Sequence, residues 1–351
     1  MDTDMTSAFA PKGPELDTLR SLVNNESVLV TGGTGSFGQT FVRNMLSTAS
    51  PRRVIVFSRD EFKQFEMQGE SDFQGRKDLR FFIGDVRDQS RLELALRDVQ
   101  VVIHAAAMKQ VDTAEYNPFE CINTNVIGAE NVVRAALKTG VKKVLALSTD
   151  KAVNPVNLYG ASKLAADKIF VAANHLSGSG GTRFSVVRYG NVAGSRGSVV
   201  PLFRRLADQK SEFIPITDPR MTRFWTTLDQ MCDFVLSSLV RMEGGEIFVP
   251  RIPSVRIVDL AMAMAPDIKQ KTIGIRPGEK LHEALISEDE GHLTREFKDH
   301  FIIEPAFDSV FGAKRSSQQP GKRMPERFSY ISDQNDKWID VEALRSIYGQ
   351  S

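Results

Sequence analysis

Residues 148–163 read Ser-Thr-Asp-Lys-Ala-Val-Asn-Pro-Val-Asn-Leu-Tyr-Gly-Ala-Ser-Lys, which puts Thr149, Asp150, Lys151, Tyr159 and Lys163 in one short segment. Tyr159 and Lys163 are four positions apart. A helix starting near Leu158 sets both on one face, one turn apart. A lysine ammonium beside a phenol favours the phenolate and makes the tyrosine usable as a base nearer neutral pH. Just upstream, Asp150 and Lys151 set an acid and a base side by side. Tyr-x-x-x-Lys alone is common on exposed helix faces, so its weight depends on what precedes it.

What precedes it is a strand, a glycine loop and a helix. The apolar run within Ser27–Thr31 reads as a buried strand. It leads into Gly32-Gly33-Thr34-Gly35-Ser36-Phe37-Gly38. Gly32 permits a tight turn, Gly35 removes a side chain where backbone must approach a pyrophosphate, and Gly38 lets the next helix pack closely. With Thr34, Ser36 and Phe37 between them, this loop is the expected dinucleotide cradle. The helix behind it carries Phe41, Val42, Met45 and Leu46 at helical spacing, and its N-terminus offers free N–H groups to phosphate. No Gly-Lys-Ser/Thr ends the loop, so it is not a Walker P-loop. The second strand, Arg53–Phe57, ends in Ser58-Arg59-Asp60, with Lys63 a turn later. An acid there suits the ribose diol of NAD. Ser58, Arg59 and Lys63 suit a 2′-phosphate and favour NADP.

The third strand, Leu79–Ile83, delivers Asp85 and Val86 where a carboxylate accepts an adenine amino group, and Asp88 reads as the N-cap of a helix over 89–97. The fourth, Val101–Ile103, runs into His104 and the small residues Ala105, Ala106 and Ala107, which let backbone lie along a cofactor. His104 reads as a core histidine, and Lys109 faces the site. A helix over Asn123–Thr139 is expected, closed by Gly140. The fifth strand, Val144–Leu147, delivers Ser148–Lys151 at its carboxyl end, where ligands bind in doubly wound sheets. A helix over 158–176 and a sixth strand, Phe184–Arg188, follow.

This alternation predicts an α/β fold, a doubly wound parallel (Rossmann) sheet with a smaller C-terminal substrate-binding lobe. The expected divisions are an N-terminal extension over 1–25, containing a helix near 15–23, and an NADP-binding domain over 26–192. Residues 226–250 rejoin that domain through a helix and a strand near 246–249. The lobe comprises 193–225 and 251–335, with 312–327 a mobile loop, and a C-terminal helix lies in 336–351. Arginines near the lobe's turns include Arg196, Arg220, Arg251, Arg223 and Arg276. Guanidinium forks suit a diphosphate, and Arg223 and Arg276 are favoured. The formal net charge of +1 gives no field for nucleic acid. The two cysteines, Cys121 and Cys232, have no metal spacing and read as reduced thiols of a cytoplasmic protein. No apolar run approaches the ~20 residues of a membrane span, and the N-terminus has no signal-peptide pattern. A homo-oligomer is expected.

Gly32/Gly35/Gly38, Asp85 and Tyr159/Lys163, in that order, resemble the extended short-chain dehydrogenase/reductase family. Ser-Arg-Asp-Glu (58–61), Ser-Thr-Asp-Lys-Ala (148–152), Val-Val-Arg-Tyr-Gly-Asn-Val (186–192), Met-Thr-Arg-Phe-Trp (221–225) and Ile-Arg-Pro-Gly-Glu-Lys-Leu-His-Glu (275–283) are similar to the inverting UDP-N-acetylglucosamine 4,6-dehydratases, which open the route to pseudaminic acid and related bacterial surface sugars. The resemblance implies a tightly bound NADP regenerated each turnover. It implies that Tyr159, helped by Lys163, takes the C-4 hydroxyl proton, and that Thr149 holds the C-4 oxygen. Lys151 removes the C-5 proton, through a depressed pKa, and Asp150 protonates the leaving C-6 hydroxyl. It also implies substrate contacts from Lys109, Asn191, Arg276 and Glu279. Retaining dehydratases carry Asp-Glu where this chain has Asp150-Lys151. The alternatives are a UDP-N-acetylhexosamine 4-epimerase, a retaining 4,6-dehydratase and an NADP-sensing binding protein.

Overall fold

The computed structural model describes residues 9–178, 180–194, 199–306 and 321–348. Arg196 and 312–320 of the expected loop lie outside them.

Six apolar runs form parallel strands: β1 (Ser27–Thr31), β2 (Arg53–Ser58), β3 (Leu79–Ile83), β4 (Val101–His104), β5 (Lys143–Thr149) and β6 (Arg183–Tyr189). They stand in the order β3-β2-β1-β4-β5-β6. β1 and β4 are buried along their whole length, as strands covered by helices on both faces must be. Strand order reverses between β1 and β4, which opens a crevice at their carboxyl ends. Beyond β6 the sheet continues. Ile247–Pro250 pairs parallel to β6, and His300–Ile303 then pairs antiparallel to it. Thr294–Glu296 and Lys322–Arg323 bring it to ten strands among the described residues. The antiparallel extension is absent from the sequence reading because its members are too short to show a period.

Two helices position the site. α2 (Ser36–Thr48) buries Phe41, Val42 and Met45 against the sheet and begins at the glycine loop. The helix Leu158–Leu176 is capped by Asn157, whose side chain accepts from the Gly160 N–H. Its inner face buries Tyr159, Lys163, Asp167 and Phe170. The helix expected over 123–139 is interrupted. Pro118–Ile122 is followed by a π-helical turn, Asn123–Ile127, and then by Gly128–Thr139, closed by Gly140 at φ 75°.

α1 (Pro14–Val23) lies on the helix Leu228–Arg241. Glu15 there meets Arg241 at 2.8 Å and accepts from Ser237 at 2.6 Å. A second apolar cluster gathers Trp225, Val255, Leu260, Ile339 and Leu344. The helix Val341–Tyr348 closes it, with Trp225 Nε1 donating to the Tyr348 hydroxyl.

Candidate active site

A cavity of about 580 Å³ opens at the carboxyl ends of β1, β2, β4 and β5. Gly32, Thr34, Gly35, Ser36, Phe37 and Gly38 line its glycine-loop wall, with Ser58, Arg59, Lys63, Asp85, Val86, Ala105 and Ala107 beyond them. Thr149, Asp150, Lys151, Tyr159 and Lys163 line the opposite end, beside Lys109 and Asn191.

The glycine wall fits a dinucleotide. Gly32 has φ 64°, and a Cβ there would lie 2.9 Å from the Ala106 backbone. A Cβ on Gly38 would sit 2.5 Å from Gly33 Cα, so the helix can approach the loop only at glycine. Gly35 caps α2 without a side chain, so the first-turn N–H groups have no side-chain cap and suit an anion. At the second strand, Ser58 Oγ is bonded to Thr34 Oγ1 at 2.8 Å. Asp60 accepts from the Lys63 N–H and pairs with Lys63 Nζ, both at 3.0 Å, so this acid is already engaged as a helix cap. The Arg59 side chain keeps 67% of its surface and lies 3.8 Å from Asp85. Burial raises the Asp85 carboxyl, but Arg87, bonded to it through Nε and Nη2, outweighs that and holds it below the usual range.

At the other end, Asp150 Oδ1 accepts from Thr149 Oγ1 at 2.9 Å and from Lys151 Nζ at 3.1 Å. Its Oδ2 is buried without a hydrogen-bond partner among the described residues. Burial, reinforced by the Glu283 charge, raises the Asp150 carboxyl despite Lys151, which suits a proton donor. Lys151 corrects an expectation. Burial would lower its pKa, but Asp150 and Glu283 flank the ammonium and drive it upward. In this state it is charged, and a base role requires it to pass its proton on. Burial likewise pushes Tyr159 up to about 12. The counteracting positive charge comes from Lys151 rather than Lys163, with the Thr149 hydroxyl adding to it. Lys163 donates to the Leu147 carbonyl at 2.7 Å, and burial lowers its pKa.

Sequence reasoning missed four supporting residues. Asp167 follows Lys163 by one turn, accepts from Ser148 Oγ at 2.9 Å and meets Arg188 at 3.4 Å. Arg188 is wholly buried and also grips Glu290. An arginine inside an apolar strand was its signal. Asn125, turned inward by the π turn, bonds the Met108 N–H and carbonyl and Ser162 Oγ, which fixes the loop bearing Lys109. Such turns recur at functional sites. Glu283 closes the 275–283 motif, but nothing local to that motif shows that it meets Lys151.

The remaining predicted residues lie elsewhere. Arg223 is not in the cavity wall, and its role as a diphosphate ligand is corrected. Its terminal nitrogens donate to the carbonyls of Thr222, Lys280 and Leu281 and to Met221 Sδ, which leaves no fork for an anion. Arg276 and Glu279 face each other at 3.9 Å in a loop outside the wall, tied to the tyrosine helix by the Asn157 side chain donating to the Gly278 carbonyl. His104 bonds Thr31 Oγ1, and burial pushes it down to about 3. Among the described residues no His/Cys/Asp/Glu group could hold a metal.

A family profile described as polysaccharide biosynthesis protein matches residues 28–305. The chain is 54% identical over 331 residues to an inverting UDP-N-acetylglucosamine 4,6-dehydratase from Campylobacter jejuni, covering 93% of this chain and 98% of that one. It is 41% identical to a UDP-glucose 4-epimerase from Rickettsia rickettsii, covering 92% and 95%. The X-ray structure of Pen from Bacillus thuringiensis superposes with a TM-score of 0.83 at 37% identity, over 93% of this chain and 98% of that one. The chain belongs to the polysaccharide biosynthesis protein family, together with the inverting UDP-N-acetylglucosamine 4,6-dehydratases it matches over nearly their whole length.

Proposed function

We propose that this protein is a UDP-N-acetylglucosamine 4,6-dehydratase that inverts C-5 and releases a UDP-2-acetamido-2,6-dideoxy-4-hexulose. The observation that carries this is the Asp150–Lys151 pair beside Tyr159 in one cavity. A 4-epimerase has no water to eliminate and no use for that pair. NADP, when bound, supplies the chemistry of taking hydride from C-4 and returning it to C-6. Tyr159, with Lys163 one turn along the same helix, accepts the C-4 hydroxyl proton while Thr149 holds that oxygen. The C-4 ketone acidifies the C-5 proton, Lys151 takes it as base, and Asp150 gives its proton to the C-6 hydroxyl, which leaves as water. C-5 is then reprotonated from the opposite face by a solvent-derived proton, and Tyr159 returns the C-4 hydroxyl proton to solvent. Lys151 reaches its basic form by passing a proton to Asp150, 3.1 Å away.

Gly32, Thr34, Gly35, Ser36, Phe37 and Gly38 would hold the pyrophosphate, Asp85 and Val86 the adenine, and Ala105 and Ala107 the nicotinamide half. With Asp60 engaged by Lys63, Arg59 is the group left for a 2′-phosphate, which favours NADP over NAD. Lys109, Asn191, Arg276 and Glu279 would contact the substrate, the last two after loop movement. Residues 26–192 with 226–250 would be the NADP domain, 193–225 and 251–335 the substrate lobe, 1–25 an extension and 336–351 the closing helix segment. We further infer a cytoplasmic homo-oligomer feeding pseudaminic-acid-type sugar synthesis. No helix among the described residues is long and apolar enough to cross a membrane.

Proton NMR of the protein with UDP-N-acetylglucosamine in deuterated water tests this. A 4-keto-6-deoxy product with C-5 inverted and deuterated is the expected result. Retention at C-5 moves the protein to the other dehydratase branch. UDP-N-acetylgalactosamine supports the epimerase reading that the Rickettsia relatives' name favours. NADP binding without turnover of the sugar supports a sensor.

A further inference from the structure

Glu283 comes from a segment far along the chain and ends beneath the catalytic pair. Ser332 clamps its backbone twice, donating its N–H to the Glu283 carbonyl at 2.8 Å and accepting from the Glu283 N–H at 3.0 Å. Its side chain is 3% exposed, against 25% for Lys151. Oε1 lies 3.4 Å from Lys151 Nζ and 3.9 Å from Arg223 Nε, and Oε2 lies 3.7 Å from Lys280 Nζ. Oε2 accepts no hydrogen bond from the described residues. A carboxylate so deeply buried is costly unless it is paired, and here three cations surround it, two from distant segments and Lys280 from its own. The other titratable groups facing this cluster are Asp150 and Tyr159. The neighbouring His282 turns away toward Asp333 and Thr222.

We infer that Glu283 is a positioning residue for the reaction: it anchors the Lys151 ammonium and supplies the fixed negative charge that governs the proton shared by Lys151 and Asp150. The inference rests on the dehydratase reading. Elimination needs one proton on the pair, located on Asp150, with Lys151 as free amine. After elimination the proton from C-5 is on Lys151 and Asp150 is ionised, which is the ion pair the structure shows at 3.1 Å. An anion beside both groups raises the pH at which each loses its proton, so the interval in which the pair holds one proton lies higher with Glu283 than without it. Burial disfavours the charged form of Glu283 itself, but Lys151, Arg223 and Lys280 overcome that and keep it ionised, so it does not compete for the proton.

The test is the pH dependence of kcat with UDP-N-acetylglucosamine for wild-type, Glu283→Gln and Lys280→Met holoenzymes, with KM and thermal unfolding measured in parallel. Glu283→Gln is expected to move both limbs to lower pH by about one unit or more. It should lower kcat about 10- to 100-fold at the wild-type optimum and leave KM within about threefold. Lys280→Met removes a cation from the same cluster and should move both limbs upward. A purely structural Glu283 would change the unfolding temperature and leave the limbs in place. Unmoved limbs, or shifts of the same sign in both variants, overturn the inference. Should Glu283→Gln fail to fold, Lys280→Met decides alone by the presence or absence of an upward shift. The ¹³C resonance of the Asp150 carboxyl, assigned with Asp150→Asn, should follow the same displacements without turnover. A wild type that never makes the inverted product therefore defeats the dehydratase reading while leaving the charge effect of Glu283 separately measurable.

Discussion

The two ends of the cavity are built differently. The glycine-loop end is made from short segments at four strand ends between residues 32 and 107, and much of its recognition surface is backbone: N–H groups at the start of α2, small residues after β4, a cap at Asp60. The Asp150–Lys151 end takes its reactive groups from one local segment but their electrostatics from distant ones. Glu283, Arg223 and Lys280 belong to segments beyond residue 220, and Arg188 and Glu290 brace the tyrosine helix from below. Binding backbone can thus be specified locally, whereas the proton states of the proposed catalytic side chains are set by the whole fold.

The largest effect that sharpens this contrast is Lys151→Ala. It removes the proposed base and leaves the glycine end untouched. Dehydration should fall about 10²–10⁴-fold, while thermal unfolding and affinity for the nicotinamide dinucleotide stay near wild type. A variant that still dehydrates at the wild-type rate would remove Lys151 from the mechanism. Next is Arg188→Met. It leaves Asp167 and Glu290 buried without their cation and should destabilise the fold by about 3–5 kcal/mol in urea unfolding. Adding Asp167→Asn and Glu290→Gln should recover part of that loss, since the penalty lies in the orphaned charges.

At the opposite end, Gly38→Ala would force a methyl group to within 2.5–2.7 Å of the Gly33 and Gly32 backbone. A cost of about 1–3 kcal/mol is expected from such overpacking, with nicotinamide-dinucleotide affinity lost as the loop shifts. Unchanged affinity would show that the loop tolerates displacement and is not the cradle. Arg59→Ala is milder. Its guanidinium is largely exposed, so its removal should weaken NADP about tenfold in a binding titration and leave NAD unchanged. Equal loss for both cofactors would break the 2′-phosphate assignment.

Legibility in the sequence follows the same division. The six parallel strands, the glycine loop and the Asp88 cap could be read because each depends on a period or a spacing within a few residues. So could the gathering of Thr149, Asp150, Lys151, Tyr159 and Lys163, since one strand end and one helix turn suffice to bring them together. The charge on Lys151 could not. Its pKa rises because Asp150 beside it is joined by Glu283 from far along the chain, and the second of these carboxylates is brought there only by tertiary packing. Arg223 was misread for the same reason: its carbonyl partners at 280 and 281 are a tertiary matter. The π turn that aims Asn125 inward hides inside an apolar period that reads as continuous helix.

The smallest prediction concerns the helix Leu228–Arg241, whose start at Leu228 touches the cavity and whose outer side carries α1. Asp233 on this helix is half-buried, and burial, with Asp229 nearby and Lys12 only partly offsetting, pushes it up to about 6. Its folded pKa lies above the unfolded value of 3.8. The folded state therefore holds its proton more tightly. Stability is greatest below the unfolded pKa and declines as pH rises to about 6, above which the ionised carboxylate costs its full amount. Asp233→Asn removes that cost. It should raise thermal stability at pH 7.5 by an amount worth about 1 kcal/mol or less, since solvent screens part of the effect, and change little at pH 4. A gain equal at both pH values would mean that the carboxylate's charge is not the cause, and that the helix under the cofactor end is indifferent to it.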